Sequence, residues 1–352
     1  MNDINFDLLK RISETPGAPG FEKHIRNLIV EEVTPWVDDL QVDNMGNVIA
    51  YRKGREKKKV MLAAHMDEIG FIVNHIDEDG FLRFIPLGGF DPKTLTSQRV
   101  LVHGKKDLVG VMGTKPVHMM SDEEKKRQVK IEDFFIDLGM PKEEVEKYVQ
   151  VGNPVTRNRE MIRMGDCVNG KSLDNRISVY ILIEALKAIH QQDLPFDVYG
   201  VFTVQEEVGI RGAQVATQEI QPDFGIAIDT TIAYDVPGAQ AHQHVTRLGK
   251  GVAVKMLDAT AIADYRMVEY MKEVAERHQI TWQPELMAKG GTDTGMVQRM
   301  TRSGSIAGAV SVPTRHIHQV IESVHNQDIL SSVNLLQHCL LELDQRDWNH
   351  QT

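Results

Sequence analysis

Apolar strand patterns that alternate with helical patterns constrain the fold of this chain most strongly. The segments "DVYGVFTV", "FGIAIDT" and "SIAGAVSV" are predicted to be strands, whereas "RISVYILIEALKAIH" and "DYRMVEYMKEVAERH" have the apolar spacing of helices. A predicted helix, "FEKHIRNLIVEEVTPW", and a predicted strand, "KVMLAA", come earlier in the chain. This alternation is typical of an α/β sandwich, in which helices cover a sheet.

The segment between Gly70 and Met164 has a different sequence pattern. Short strand patterns, namely "FIVNHI", "FLRFIP", "RVLVHG" and "DLVGVMG", are separated there by Gly, Pro and Asp turns. A chain of 352 residues is also longer than a single hydrophobic core usually supports. We therefore predict an α/β domain in two pieces, residues 1–69 and 165–352, with a small β domain inserted at residues 70–164.

Composition argues against several classes of partner. The chain has 40 Lys and Arg residues against 50 Asp and Glu residues, which gives a formal net charge of −10. This acidic excess argues against nucleic acid and against an anionic membrane surface as partners. No segment reaches the roughly 18 apolar residues of a membrane helix, and the N-terminal segment lacks the apolar stretch of a signal peptide. Cys167 and Cys339 suggest no disulfide framework, so we expect a cytoplasmic protein.

Side chains that commonly bind metal ions follow the predicted strands. They are His65 after "VMLAA", Asp174 in the loop "KSLDNR", Glu206 and Glu207 after "VYGVFTVQ", Asp229 at the end of "FGIAI", and His318 in "PTRHIHQ". Open α/β sheets place their sites at the carboxyl edge of the strands. Histidine and carboxylate ligands suit Zn, Co or Mn, and this set is large enough for two ions that share one carboxylate.

Each of these residues alone also has a plain structural explanation. A histidine after a strand is usually a hydrogen-bonded structural residue, and Asp174 before a helix is most simply an N-cap. The adjacent Glu206 and Glu207 would usually be a solvated pair, and His316 and His318 could be surface residues. The candidates interrupt apolar strands at the same end, and this coincidence favours a metal site.

Six short motifs, in order along the chain, identify a family. The set "AAHMDEIGF", "SLDNR", "VQEEVGIRGA", "IAIDTT", "GGTDTG" and "PTRHIH" resembles the M42 family of metallo-aminopeptidases, which includes glutamyl aminopeptidases and tetrahedral dodecameric peptidases. The similarity extends from about residue 5 to about residue 340. The resemblance implies a mixed-sheet α/β/α metallopeptidase domain with an inserted, small β-barrel-like oligomerisation domain.

The resemblance also implies two divalent metal ions per subunit, which would be Zn, Co or Mn. His65 and Asp229 would hold one ion, Glu207 and His318 would hold the other, and Asp174 would bridge them. Two ions at a spacing of about 3.5–4 Å can together activate water and polarise a carbonyl group.

Glu206 and Asp67 would act beside the ligands. The resemblance implies that Glu206 is the general base that takes a proton from the attacking water and later returns it to the leaving amine. Consecutive side chains in an extended segment point in opposite directions, so Glu207 can bind an ion while Glu206 faces the water. Asp67 would accept a hydrogen bond from the far ring nitrogen of His65 and fix its orientation.

The implied activity is that of a two-metal aminopeptidase that removes N-terminal residues from short peptides with a free N-terminus. The resemblance further implies a homo-oligomer, for which a tetrahedral dodecamer and a dimer are both open. A related two-metal carboxypeptidase or N-acyl amino acid deacylase is the alternative, and it would recognise a substrate carboxylate. A non-catalytic metal-binding assembly is less favoured, because it leaves Glu206 without a role.

A few further residues are predicted to lie near the substrate without a fixed role. The segment "AKGGTDTG", residues 288–295, resembles a family loop beside the substrate pocket, although it could equally be a glycine turn in which Thr292 or Asp293 caps a helix. Lys289 or Arg315 would favour acidic substrates if it faced the pocket.

Overall fold

The structure is a computed structural model of the chain and describes residues 3–350. The chain first forms α1 (Phe6–Glu14), α2 (Lys23–Val33), β1 (Asp39–Val42), β2 (Val48–Arg52) and β3 (Glu56–His65). Helix α1 begins where the Asn5 side chain accepts the Leu8 N–H, and it buries Leu8, Leu9 and Ile12 along one face. This apolar face joins the main hydrophobic core.

An antiparallel barrel, with six strands in the described part of the chain, interrupts the large domain. Its elements are β4 (Gly70–Ile76), β5 (Leu82–Leu87), β6 (Arg99–His103), β7 (Asp107–Gly113), α3 (Asp122–Lys126), β8 (Phe135–Asp137), α4 (Lys142–Val145) and β9 (Pro154–Arg157). The barrel has its own apolar core, which contains Phe71, Phe84 and Ile136. The predicted β-barrel insertion is confirmed.

The chain then returns to the large domain. It forms β10 (Ile162–Met164), β11 (Cys167–Gly170), α5 (Leu173–Ile189), β12 (Phe196–Thr203), α6 (Arg211–Ile220), β13 (Phe224–Ile232), β14 (Val252–Leu257), α7 (Tyr265–Arg277), β15 (Trp282–Leu286), α8 (Thr294–Arg299), β16 (Ile306–Arg315), β17 (Glu322–His325) and α9 (Asn326–Glu342). Strand β10 pairs with β11 in the large sheet, and the domain bounds 1–69, 70–164 and 165–352 stay a prediction. Across residues 3–350, no helix is both long enough and apolar enough to span a membrane.

The large sheet is mixed and has helices on both faces. Within residues 3–350 it has eleven strands, nine of them in the order β1-β2-β12-β3-β13-β16-β17-β11-β10, while β14 pairs with β15 and β16. Side chains of β3 alternate between two cores: Val60 and Leu62 pack with α1, α2, α5, α7 and α9, whereas Met61 and Ala63 pack with α6 and α8. The predicted α/β/α architecture is confirmed.

Candidate active site

The candidate site lies at the carboxyl ends of four neighbouring parallel strands. Strands β12, β3, β13 and β16 are consecutive in the sheet, and each neighbouring pair among them is parallel. Neighbouring parallel strands end at the same edge, so the residues that end or follow them meet there. The six ligand or base candidates all line one cavity at this edge, namely His65, Asp174, Glu206, Glu207, Asp229 and His318.

His65, Asp174 and Asp229 form a first donor group. The Nε2 atom of His65 is 3.3 Å from Asp174 Oδ1 and 3.7 Å from Asp229 Oδ1. All three side chains are buried, and one ligand atom from each lies within 4.8 Å of the others. One imidazole and two carboxylates are a donor set that suits a divalent transition metal.

Asp174, Glu207 and His318 form a second donor group that shares one residue with the first. The Nε2 atom of His318 is 3.2 Å from Asp174 Oδ2 and 3.3 Å from Glu207 Oε2. Asp174 therefore presents one oxygen to His65 and the other to His318. This is the arrangement that a bridging carboxylate requires.

Asp174 belongs to the first turn of α5, where the backbone is irregular. Ser172 is the N-cap residue of this helix, and Asp174 has φ −78° and ψ 105°, outside the helical region. Its carboxylate faces the two histidines instead of the helix N–H groups. The N-cap alternative for Asp174 is therefore wrong.

Asp67 supports the site from behind. Its carboxylate accepts the backbone N–H of Glu206 at 3.0 Å and that of Glu207 at 3.1 Å. The Nδ1 atom of His65 lies 3.2 Å from the Asp67 carbonyl oxygen and 3.4 Å from its Oδ1 atom. A single buried residue thus contacts the segments that carry His65, Glu206 and Glu207. The two backbone hydrogen bonds were not foreseen, because they join distant parts of the chain.

Glu206 faces the cavity without belonging to either donor group. Its Oε2 atom is 3.9 Å from His65 Nε2, and its side chain is 11% exposed. The Glu207 side chain is 4% exposed, so the alternative of a solvated glutamate pair is wrong. A carboxylate that reaches the cavity but is not tied to a donor group can exchange a proton with a bound molecule.

The carboxylates of the site carry more negative charge than the surrounding protein neutralises. Burial raises the pKa of Glu206 and that of Asp229 well above their ordinary values. Burial and the charge of Asp174 likewise raise the pKa of Glu207. The Glu207 Oε1 atom is buried and has no hydrogen-bond partner among the described residues. Bound cations would neutralise the buried carboxylates and would give the Glu207 Oε1 atom a partner.

The histidines respond to the same charge. Burial lowers their pKa values, but hydrogen bonds with the neighbouring carboxylates outweigh it and raise the pKa of His65 well above its ordinary value and that of His318 to about 11. Protons on these rings therefore partly balance the carboxylates. Metal ions compete with such protons for the same ring nitrogens, so the donor set fits divalent cations.

A buried glutamate connects this site to the barrel. The Oε2 atom of Glu322 accepts the Asp174 N–H at 2.8 Å, and its Oε1 atom accepts the His318 N–H at 3.2 Å. Arg157, the last residue of β9, places its Nη1 atom 3.8 Å from Glu322 Oε1 and donates from Nη2 to Ser172 Oγ at 3.2 Å. Sequence reasoning missed Glu322. Its one sequence signal is an acidic residue four positions after His318, just after the apolar pair Val320 and Ile321.

The cavity that contains the donor groups has a volume of about 700 Å³. Apolar side chains contribute to its walls, including Ile210, Ile232, Tyr234, Val236 and Met287. Lys255 is also part of the wall, but its Nζ atom donates to Glu285 Oε1 at 2.8 Å and lies 3.5 Å from Asp258 Oδ2. The volume of the cavity suits a short peptide segment. The buried Lys255 of the cavity wall is already neutralised by Glu285.

The two charged residues considered for acidic substrates differ in placement. Lys289 lines the cavity, as does His316. Arg315 instead donates to both oxygens of Asp235, at 2.7 and 2.8 Å. Lys289 is therefore the cation with the greater freedom to meet a substrate.

The segment before α8 does not use its side chains as caps. Thr292 donates to Asp258 Oδ2 at 2.9 Å, and Asp293 accepts the Thr203 hydroxyl at 2.6 Å. Asp293 is the N-cap residue, but its side chain makes no capping hydrogen bond. The capping alternative for this segment is wrong.

Comparison with known proteins agrees with the geometry. Residues 46–335 match the model of the M42 glutamyl aminopeptidase family. The chain is 34% identical over 352 residues to the lysyl aminopeptidase of Pyrococcus furiosus, with 98% of this chain and 99% of the relative covered. The TET aminopeptidase from a marine sediment archaeon, Thaumarchaeota archaeon, has a TM-score of 0.93 at 35% identity, with 96% of each chain covered. Pyrococcus horikoshii TET1 peptidase, which can assemble into a tetrahedron or a large octahedral shell, has a TM-score of 0.86 at 32% identity, with 96% of this chain and 99% of that chain covered.

Proposed function

Since this chain belongs to the M42 glutamyl aminopeptidase family, and is thus an aminopeptidase that hydrolyses peptide bonds, we propose that two divalent metal ions operate in its active site and that its substrates are short peptides. The observation that carries the proposal is the pair of donor groups that share Asp174. One group adds His65 and Asp229, and the other adds Glu207 and His318. Each set accepts Zn, Co or Mn.

The ions and the protein side chains have different roles in the proposed reaction. When bound, the ions supply Lewis acidity, which activates water and polarises the scissile carbonyl group. Glu206 accepts a proton from the attacking water and returns it to the leaving amine. Its place in the cavity, outside both donor groups, supports this role.

Asp67 acts on the reaction through its neighbours. Its hydrogen bonds to the Glu206 and Glu207 N–H groups hold the base and a ligand at a fixed separation from the sheet edge. Its contact with His65 Nδ1 orients the ring so that Nε2 faces the cavity. Asp67 is therefore a positioning residue.

The acceptor oxygens of the cavity favour a substrate amine over a substrate carboxylate. Carboxylate oxygens there would accept hydrogen bonds from a protonated α-amine, whereas a C-terminal carboxylate has no hydrogen to donate to them. Lys255 and Arg315 are neutralised by Glu285 and Asp235, whereas the cavity-lining Lys289 would meet an acidic side chain of the substrate. This pattern favours an aminopeptidase over the carboxypeptidase and N-acyl amino acid deacylase alternatives.

Assembly of the subunits is proposed from the barrel surface. Large apolar side chains are exposed on the inserted barrel, namely Ile85, Val109, Val111, Val117 and Met119. A related structure contains a TET1 dodecamer, and exposed apolar side chains of this kind commonly mark protein–protein interfaces. We propose a homo-oligomer of this kind, with a tetrahedral dodecamer favoured over a dimer. The cytoplasmic location stays a prediction.

A peptide panel tests the proposed function. Chelator-treated protein would receive Zn, Co or Mn and would be given short peptides with free, N-acetylated or C-amidated ends. We expect metal-dependent release of the first residue from every peptide with a free N-terminus, whether or not its C-terminus is amidated. Hydrolysis of the N-acetylated peptides instead would favour the deacylase or carboxypeptidase alternatives. Lack of hydrolysis with any metal would favour the non-catalytic assembly.

A further inference from the structure

A second cluster of metal-binding side chains lies outside the active-site cavity. It consists of His278, His338 and Glu342, and one ligand atom of each lies within 4.8 Å of the others. None of the three lines the cavity that contains the donor groups of Asp174. His278 follows α7, while His338 and Glu342 belong to α9.

The backbone brings these side chains together from two packed helices. His338 and Glu342 are four residues apart on α9, a spacing that puts both on one helix face. The His278 ring stacks on the His338 ring, with a centroid separation of 3.6 Å and an interplanar angle of 14°. The Nε2 atom of His278 is 2.5 Å from Glu342 Oε1. Two imidazoles and one carboxylate from the two helices thus lie close together, and a tilt of the stacked rings would direct both ring nitrogens at one ion.

The electrostatic setting favours a cation at this point. His278 is the C-cap residue of α7, and Glu342 is the last residue of α9, so two helix carboxyl ends meet here. Helix carboxyl ends carry partial negative charge and stabilise cations. Burial and repulsion from His278 lower the pKa of His338.

We propose that His278, His338 and Glu342 bind a divalent metal ion at a site separate from the active site. Two histidines and one glutamate are a zinc ligand set, and a water molecule would complete the tetrahedral coordination. All three side chains are partly exposed, so an ion can reach them from solvent. The ion would join α7 to α9 where both helices end. It would stabilise the folded chain more strongly as the free ion concentration rises above the Kd of the site.

Arg277 is the local competitor for this ion. Its Nη1 atom pairs with Glu342 Oε2, the oxygen that does not contact His278. The Arg277 side chain is 50% exposed, so it can turn into solvent when an ion binds. Removal of this positive charge is expected to tighten zinc binding about threefold.

Zinc content per chain tests the proposal. Wild-type protein and the variants H338Q and H278Q would be stripped with chelator, dialysed against buffered Zn²⁺ and measured by elemental analysis. Each variant is expected to hold about one zinc ion fewer per chain than the wild type, because loss of one of three protein ligands weakens a site at least about 10-fold. The same zinc content in wild type and both variants would overturn the proposal.

Matched variants separate this site from the active site. H118Q changes an exposed histidine of the barrel and is expected to keep the full zinc content. H338Q and H278Q are expected to keep peptide hydrolysis while zinc raises their unfolding temperature by less than it raises that of the wild type. The readout is the difference in zinc content between the wild type and each variant. Active-site zinc contributes equally to both proteins, so the result does not depend on whether the active site holds one ion or two. A loss of zinc in H118Q equal to that in H338Q would also overturn the proposal.

Discussion

Glu322 accepts the backbone N–H of Asp174 through its Oε2 atom at 2.8 Å. This bond fixes the position of the residue that both donor groups share. The other oxygen of Glu322 holds the backbone of His318, so one buried carboxylate restrains two proposed ligands without facing the cavity itself. Because Arg157 of β9 lies beside Glu322, the barrel contributes to the geometry of the active site.

We expect Glu322→Gln to weaken metal binding about 10- to 100-fold, as substitutions behind metal ligands commonly do. The glutamine NH2 group would face a backbone N–H in place of a hydrogen-bond acceptor. Competition with a chelator of known affinity measures the effect. Glu184→Gln is the matched control, because Glu184 is a buried carboxylate on the same helix as Asp174 and pairs with Lys187. Equal metal affinity in the two variants would refute this role.

Glu206→Gln should keep its metal ions and lose turnover by about 100- to 10,000-fold, because it removes the proton acceptor and no proposed ligand. Elemental analysis and kcat on an unblocked dipeptide measure the two effects. Glu207→Gln is the contrasting variant and should lose metal as well as activity. Wild-type turnover in Glu206→Gln at normal metal content would exclude Glu206 as the base.

Asp67→Asn should lower kcat/KM about 10- to 100-fold. The asparagine has one acceptor oxygen in place of two, so it cannot accept both the Glu206 and the Glu207 N–H groups as the carboxylate does. A purely structural role would lower stability alone, so the readout is kcat/KM at saturating metal together with the unfolding temperature. A fall in stability with normal kcat/KM would contradict the positioning role.

The combined change Val109→Asp and Met119→Asp should shift the chain toward smaller assemblies. These side chains are 55% and 71% exposed on the barrel, and a charge at each would be costly to bury in an interface. Light scattering after size-exclusion chromatography measures the mass. Val42→Asp is the control, because Val42 is 47% exposed on β1 of the large domain. An unchanged mass in the barrel variant would argue against the barrel as the interface.

The apolar patterns of individual segments were sufficient to predict the fold class. Strands β12, β13 and β16 are apolar along most of their length because both faces of the central sheet are covered, and this gives a clear signal. The strand order and the closure of the barrel depend on contacts between distant segments. The irregular start of α5 was also hidden, since its segment has the ordinary composition of a helix start.

Four of the five predicted ligand residues, all except Asp174, were visible because each interrupts or follows an apolar strand. His65 and Asp229 stand out against the small and aliphatic residues that precede them. Lys255 and Glu322 had no comparable signal, because their partners come from other strands and loops. Their contribution depends on tertiary contacts, which one sequence does not reveal.

The location of the metal ions tests the central claim most directly. Crystals of zinc-loaded protein, measured on both sides of the zinc absorption edge, would give anomalous peaks at the bound ions. The account predicts two peaks in the active-site cavity, one beside His65 and Asp229 and one beside Glu207 and His318, with Asp174 in contact with both. A single peak in the cavity, or two peaks without Asp174 between them, would contradict it.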